Sequence, residues 1–118
     1  MDAIKERARE IGKLLSRTAE YEALKQANER LGDDRDAVTE MNQLASLEEQ
    51  ITSYLRAGRE PAAEAQEEYG KLAEQLQQRS VYQAVVAAQS NFERVMAQIN
   101  EEIARGIEAG EQSRIILP

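Results

Sequence analysis

Histidine and cysteine are both absent from the 118-residue sequence, so its carboxylates are the side chains best suited to chemistry. Without histidine the chain lacks the usual general base near neutral pH, and without cysteine it lacks a thiolate nucleophile, a disulfide and a cysteine-ligated metal cluster. Glutamates do occur as adjacent pairs, but neighbouring residues on a helix point about 100° apart, so the two carboxylates of a pair diverge. The pairs are Glu48–Glu49, Glu67–Glu68 and Glu101–Glu102.

Glycine motifs that bind phosphate are also missing, since the sequence contains neither G-x-x-x-x-G-K-[ST] nor G-x-G-x-x-G. We therefore expect a non-enzymatic protein with no catalytic residues, metal or cofactor. The net charge of -7 makes nucleic acid an unfavoured partner, because phosphate contacts need clustered Lys and Arg. The N-terminus MDAIKERARE lacks the apolar core of a signal peptide, and no apolar run reaches transmembrane length. A cytoplasmic location without a membrane partner is expected.

One cluster of charges contrasts with this acidic composition, because four basic side chains recur every four residues near the N-terminus. They are Lys5, Arg9, Lys13 and Arg17. The simplest interpretation is a solvated helix flank that pairs with glutamates elsewhere in the fold. Two alternatives stay open, namely contact with an acidic partner and contact with an RNA backbone.

The elements that position these charges are helices. Ala, Glu, Lys, Leu and Arg make up about half of the residues, a bias that together with three-four apolar spacing is typical of long helices with narrow seams. We predict an all-α fold of about five helices. Thr18 is the predicted N-cap of the second helix, and Gly32 is expected to end it. Asp33 and Asp34 are both candidate N-caps of the third helix.

A turn signal, Gly58-x-x-Pro61, separates two long stretches of three-four apolar spacing. Glycine suits the position just after a helix and proline the first turn of the next one. We predict helices over residues 35–57 and 61–78, joined as a long antiparallel hairpin. Two helices alone leave apolar side chains near solvent, so we expect an oligomer interface or partner surface here. Its predicted residues are Met41, Leu44, Ile51, Tyr54, Tyr69 and Leu72.

The most sustained apolar stripe lies in the last helix, predicted over residues 80–107 with Ser80 and Gln83 as a capping box. Its predicted core residues are Val85, Phe92, Val95, Met96, Ile99 and Ile103. Gly110 is expected to break the helix, which divides the chain into one helical domain, residues 1–108, and a flexible tail, residues 109–118. Docking of Ile115, Ile116 and Leu117 stays open.

Narrow seams on a small domain favour self-association. We therefore expect a homodimer or larger oligomer, in which two hairpins pack as a four-helix bundle. Other bacterial regulatory proteins are possible additional partners.

Several of these features, in this order, resemble the YlbF/YmcA family of small helical bacterial regulators, including its YheA-like branch. The resemblance covers about residues 3–108. It is carried by IKERAREIGKLLSRTAEYEALKQANERL, by the Gly58-x-x-Pro61 turn, and by SVYQAVVAAQSNFERVMAQINEEIA. A D-x-x-A-x-x-x-M-x-x-L pattern is seen at Asp34, Ala37, Met41 and Leu44.

The resemblance implies an all-α protein with a projecting hairpin that associates with itself or with relatives. It also implies non-enzymatic control of competence, sporulation and biofilm formation, through protein complexes linked to RNA processing. Some relatives hold iron–sulfur clusters through cysteines that this sequence lacks, so that property does not carry over. The alternatives to an adaptor are a chaperone-like helical scaffold and an RNA-contacting accessory protein that uses the basic stripe.

Overall fold

The computed structural model describes the backbone of residues 1–116 and the side chains of residues 1–113. This part of the chain is all-α, with five helices and no strand, as predicted. The helices are α1 (Asp2–Leu15), α2 (Ala19–Asp33), α3 (Arg35–Arg56), α4 (Ala63–Gln77) and α5 (Ser80–Ile116).

The helix boundaries follow local signals in the sequence. Thr18 accepts a hydrogen bond from the Tyr21 backbone N–H at 3.2 Å, which confirms it as the N-cap of α2. Of the two candidates for α3, Asp34 is the N-cap, since it accepts a hydrogen bond from the Ala37 N–H at 3.0 Å, whereas Asp33 is the last residue of α2. Gly58 follows α3 with a φ of 72°, a left-handed conformation that glycine adopts without the steric cost of a Cβ atom. These caps set where α2 and α3 begin and where the hairpin turns.

The five helices form two arms that meet at a junction. In the first arm α2 runs antiparallel to α5, with the rings of Tyr21 and Phe92 at a centroid distance of 5.6 Å. In the second arm α3 and α4 pack as the predicted antiparallel hairpin. α1 lies beside the C-terminal half of α5, where Ile11 and Ile103 border the same cleft.

The core lies at the junction, where α2, α3 and α4 meet the start of α5. The buried residues Leu31, Ala37 and Leu76 form one cluster there. The partly buried residues packed against it are Leu44, Val81, Tyr82 and Val85. Among the described residues no large side chain is fully buried, so the protomer has a small core for its length.

The molecule is strongly elongated. It measures 69 × 38 × 23 Å and has a radius of gyration of 21.3 Å. A compact domain of this length has a radius of gyration of about 13.5 Å. The accessible surface of 9582 Å² likewise exceeds the roughly 6,500 Å² that a compact monomer of this size exposes.

Two predictions about the last helix are wrong. The helix does not end at Gly110 but continues to Ile116. A glycine lowers helix stability by about 1 kcal/mol without forbidding helical dihedrals, so one glycine does not terminate a helix by itself. Met96 and Ile103, which the apolar spacing places in the core, are 36% and 51% exposed. Met96 lies about 100° around the helix from Val95, to one side of the half-buried stripe of α5. At Ile103 the neighbouring helix is α1, which has no buried residue of its own.

The other four predicted core residues of α5 are half-buried. They are Val85, Phe92, Val95 and Ile99. The predicted capping box of Ser80 and Gln83 does not form. Instead, the Gln83 side chain donates a hydrogen bond to the Gln77 carbonyl at 2.9 Å. That bond ties the end of α4 to the start of α5. The side chains of Ile115, Ile116 and Leu117 lie outside the described residues, so their docking stays untested.

Candidate interaction surfaces

The six residues predicted as an interface on the hairpin divide into two groups. Leu44, Ile51, Tyr69 and Leu72 are half-buried, and Leu44 packs against the junction cluster, so it serves the core. Met41 and Tyr54 are 38% and 45% exposed. Leu55, which the sequence interpretation missed, is 62% exposed beside Tyr54. Of the six predicted residues, only the exposed ones are accessible to another molecule when the protomer is on its own.

We call the outer end of the hairpin, residues 46–71, the hairpin tip. It combines the exposed pair Tyr54 and Leu55 with a net acidic charge, since glutamates in this range outnumber cationic side chains by six to three. The glutamates are Glu48, Glu49, Glu60, Glu64, Glu67 and Glu68. The apolar side chains beside these carboxylates favour a partner with an apolar groove and a basic rim.

The basic stripe is exposed at all four residues, of which Lys5, Arg9 and Lys13 lie on α1 and Arg17 lies in the turn after it. The prediction that it pairs with glutamates elsewhere in the fold is not met in the described part of the chain. There the ion pairs of α1 consist of Arg7 with Glu10, at 3.2 Å. The stripe is therefore available to a partner.

A second apolar surface lies at the far end of the first arm, and we call it the distal surface. It consists of Ile4, Ala8 and Ile11 on α1 with Ile103 and Ile107 on α5. Ile4 is 66% exposed and Ile107 is 67% exposed. The α1 residues and Ile103 line a cleft of about 370 Å³. The spacing of apolar residues predicted an apolar face on α1 and another on α5. It did not predict that the two faces would lie side by side and remain exposed to solvent.

One polar contact locks the junction. Arg79, in the link between α4 and α5, donates two hydrogen bonds of 2.8 Å to the carboxylate of Glu40 on α3. The bonds from Arg79 hold the pKa of Glu40 below its usual value, and the same bonds raise the pKa of Arg79. This bidentate contact adds a directional tie between α3 and the start of α5, beside the apolar cluster of the junction. The two residues are 39 positions apart, and no sequence pattern connects them.

In residues 1–113, no group of three or more acidic side chains is placed to hold a metal ion. None of the helices in the described part of the chain combines the length and the apolar character needed to cross a membrane. The surfaces that remain are the hairpin tip, the basic stripe and the distal surface. Such surfaces are typical of helical proteins that act through contacts with other macromolecules.

Comparison of the sequence with protein families shows which family of helical proteins this chain belongs to. Residues 4–108 match the family described as control of competence regulator ComK, YlbF/YmcA. The chain therefore belongs to the YlbF/YmcA family, which confirms the resemblance read from the sequence. Membership supports a regulatory role. No individual curated protein gives a significant match.

Proposed function

We propose that this protein is a non-enzymatic cytoplasmic adaptor in the control of competence, acting by binding other proteins. The family description supplies the process, and the hairpin tip supplies the observation on which the mechanism rests. A two-helix hairpin projecting from a small junction places Tyr54 and Leu55 away from the core, where a partner has access to them. Tyrosine at the centre of such a surface is typical of interface residues that dominate binding energy.

The partner at the hairpin tip is a protein with an apolar pocket and basic side chains around it. The pocket takes Tyr54 and Leu55, and the basic rim neutralises the glutamates of the hairpin tip. Rim charges mainly raise the association rate and select among partners, whereas the buried aromatic ring slows dissociation. The partner of this proposal belongs to the machinery that sets the amount or activity of ComK.

The adaptor of this proposal works as a homodimer or larger oligomer. Its surface exceeds that of a compact monomer by roughly 3,000 Å². A standard interface removes only about 800 Å² from each partner. The excess is large enough to accommodate both self-association and the hairpin's partner.

The exposed basic stripe favours a second candidate, an accessory protein that contacts RNA. Neutralising several phosphates gives a steep loss of affinity with rising salt. A salt titration of single-stranded RNA binding, with Arg9→Glu and Lys13→Glu together as the variant, distinguishes it from the adaptor. Tight, salt-sensitive binding that this variant abolishes supports the RNA candidate.

The adaptor proposal is tested in the bacterium that carries the gene. Deletion should change the level of ComK protein and the transformation frequency, and the wild-type chain should restore both. The double variant Tyr54→Glu with Leu55→Glu should fail to restore them at equal protein abundance. Val86→Glu is the matched control, because Val86 is 52% exposed on α5 and lies away from the hairpin tip.

Two outcomes count against the proposal. A deletion that leaves ComK and competence unchanged overturns the regulatory role in that bacterium. Full complementation by the hairpin-tip variant overturns the assignment of the partner to this surface while the regulatory role stands.

A further inference from the structure

α1 is the helix least supported by its own protomer. Its 14 residues include none that is buried. Isolated helices of about 12–15 residues are only marginally stable in water, and most helical stability in proteins comes from packing of the apolar face. α1 nevertheless has such a face, with Ile4, Ala8 and Ile11 one turn apart. Packing within one protomer therefore does not bury the apolar face of α1, and burial of this face requires a second molecule.

Part of the apolar face of α1 already lies beside α5 of the same protomer. Ile103 of α5 forms one wall of the cleft along α1, while Ile107 is 67% exposed one turn further on. A cleft with one apolar wall and one open side accepts another apolar helix of similar width. The distal surface thus has a concave part, on α1, and an exposed ridge, Ile103 and Ile107, that fits such a cleft.

The charges around the distal surface are of both signs. From Met1 to Arg17, five cationic side chains outnumber three acidic ones, whereas residues 101–111 of α5 contain four glutamates and Arg105. Among the described residues no ion pair joins α1 to α5, and the pairs of α5 are internal, from Arg105 to Glu101 and Glu102. A twofold axis brings the basic helix of one copy onto the acidic helix of the other. A surface with both signs side by side is therefore complementary to itself.

We propose that the distal surface is the site where a second copy of this chain binds, with the exposed Ile103–Ile107 ridge of each copy packed on α1 of the other. This inference rests on the self-association in the proposed function and adds its location. It differs from the sequence-based prediction that two hairpins pair, and it leaves the hairpin tip free for the regulatory partner. A dimer joined at the distal surfaces presents one hairpin at each end.

The test is the mass of the purified protein, by light scattering behind a sizing column across the micromolar range. The wild-type chain should have the mass of a dimer. Ile107→Glu and Ile4→Glu each place a carboxylate on the apolar part of the interface, and each should weaken the dimer at least about 30-fold, the loss typical of a strong interface residue. Circular dichroism confirms that each variant keeps its helix content.

Leu55→Glu is the matched control, because Leu55 is as exposed as Ile107 and receives the same charge, but at the hairpin tip. It should leave the dimer intact. If Leu55→Glu yields monomers while Ile107→Glu and Ile4→Glu stay dimeric, the hairpin is the interface and this inference is wrong, although self-association stands. If the wild-type chain is monomeric throughout, self-association itself is overturned.

Discussion

The junction and the distal surface carry the same three-four spacing of apolar residues, yet only the junction buries them. At the junction Leu31 is 7% exposed and Leu76 is 4% exposed. At the distal surface Ile103 and Ile107 are 51% and 67% exposed. The difference lies in the number of helices that meet, since four elements converge at the junction and two lie side by side at the distal surface.

Two helices in contact cover only the sides that face each other, so a large side chain is buried more completely where additional helices also pack against it. Residues at the junction therefore stabilise the protomer, whereas the apolar residues at the distal surface are available to bind a partner. Substitutions at the junction should change the free energy of unfolding, whereas those at the distal surface should change mainly association. Because association also stabilises a fold, the unfolding measurements below are compared at one low protein concentration.

The largest effect is expected from Leu76→Ala. Removing a buried leucine side chain leaves a cavity, and we expect a loss of about 3 kcal/mol in the free energy of unfolding. Urea denaturation followed by circular dichroism measures it. The matched control Leu55→Ala, at an exposed site on the hairpin tip, should stay within about 0.5 kcal/mol of wild type. Equal losses for the two variants would contradict the location of the core.

Phe92→Ala should have the next largest effect, because Phe92 lies between the two regions and is half-buried. We expect about 2 kcal/mol, below the roughly 3–5 kcal/mol that a fully buried phenylalanine loses. Phe92→Leu keeps most of the apolar area and removes only the ring contact with Tyr21, so its loss should be about 1 kcal/mol. Thermal and urea denaturation of both variants check this order.

Gly110→Ala tests whether α5 continues through the distal end. A Cβ atom at Gly110 meets no neighbour within 4 Å, and the residue has helical backbone, so alanine should stabilise the helix by about 0.5–1 kcal/mol. The gain is measured as increased helical ellipticity and a higher urea midpoint. Gly70→Ala, in the middle of α4 with equally open space, is the control for the same gain. A gain at Gly70 alone would show that the helix ends before Gly110.

The smallest effect is expected from Glu40→Gln, and it should depend on pH. The folded-state pKa of Glu40 is lowered by Arg79, so its stabilisation is fully present above the unfolded-state pKa and is lost as pH falls through the folded value. Wild type should therefore lose stability below about pH 4.5 more steeply than Glu40→Gln. Urea midpoints from neutral to acidic pH measure both curves. Glu49→Gln, on the same helix, should retain the wild-type slope, and a parallel shift of the Glu40→Gln curve would contradict the prediction.

The helices, the cap of α2 and the hairpin turn follow from the amino-acid sequence, because those features depend on contacts within a few residues. Thr18 and Asp34 cap the helices that follow them, and Gly58 adopts the left-handed turn that its position after an apolar run predicts. The order of these local signals was also enough to identify the family.

Which apolar faces are covered depends on how the helices pack. A three-four period shows that a helix has an apolar face, but burial depends on which other helices lie against it, and that is set by residues far away in the chain. Ile103 continues the stripe of Ile99, a spacing that predicts burial, yet it is exposed because the helices of the junction do not reach it. The bond between Glu40 and Arg79 was likewise invisible in the sequence, since folding alone brings the two residues together.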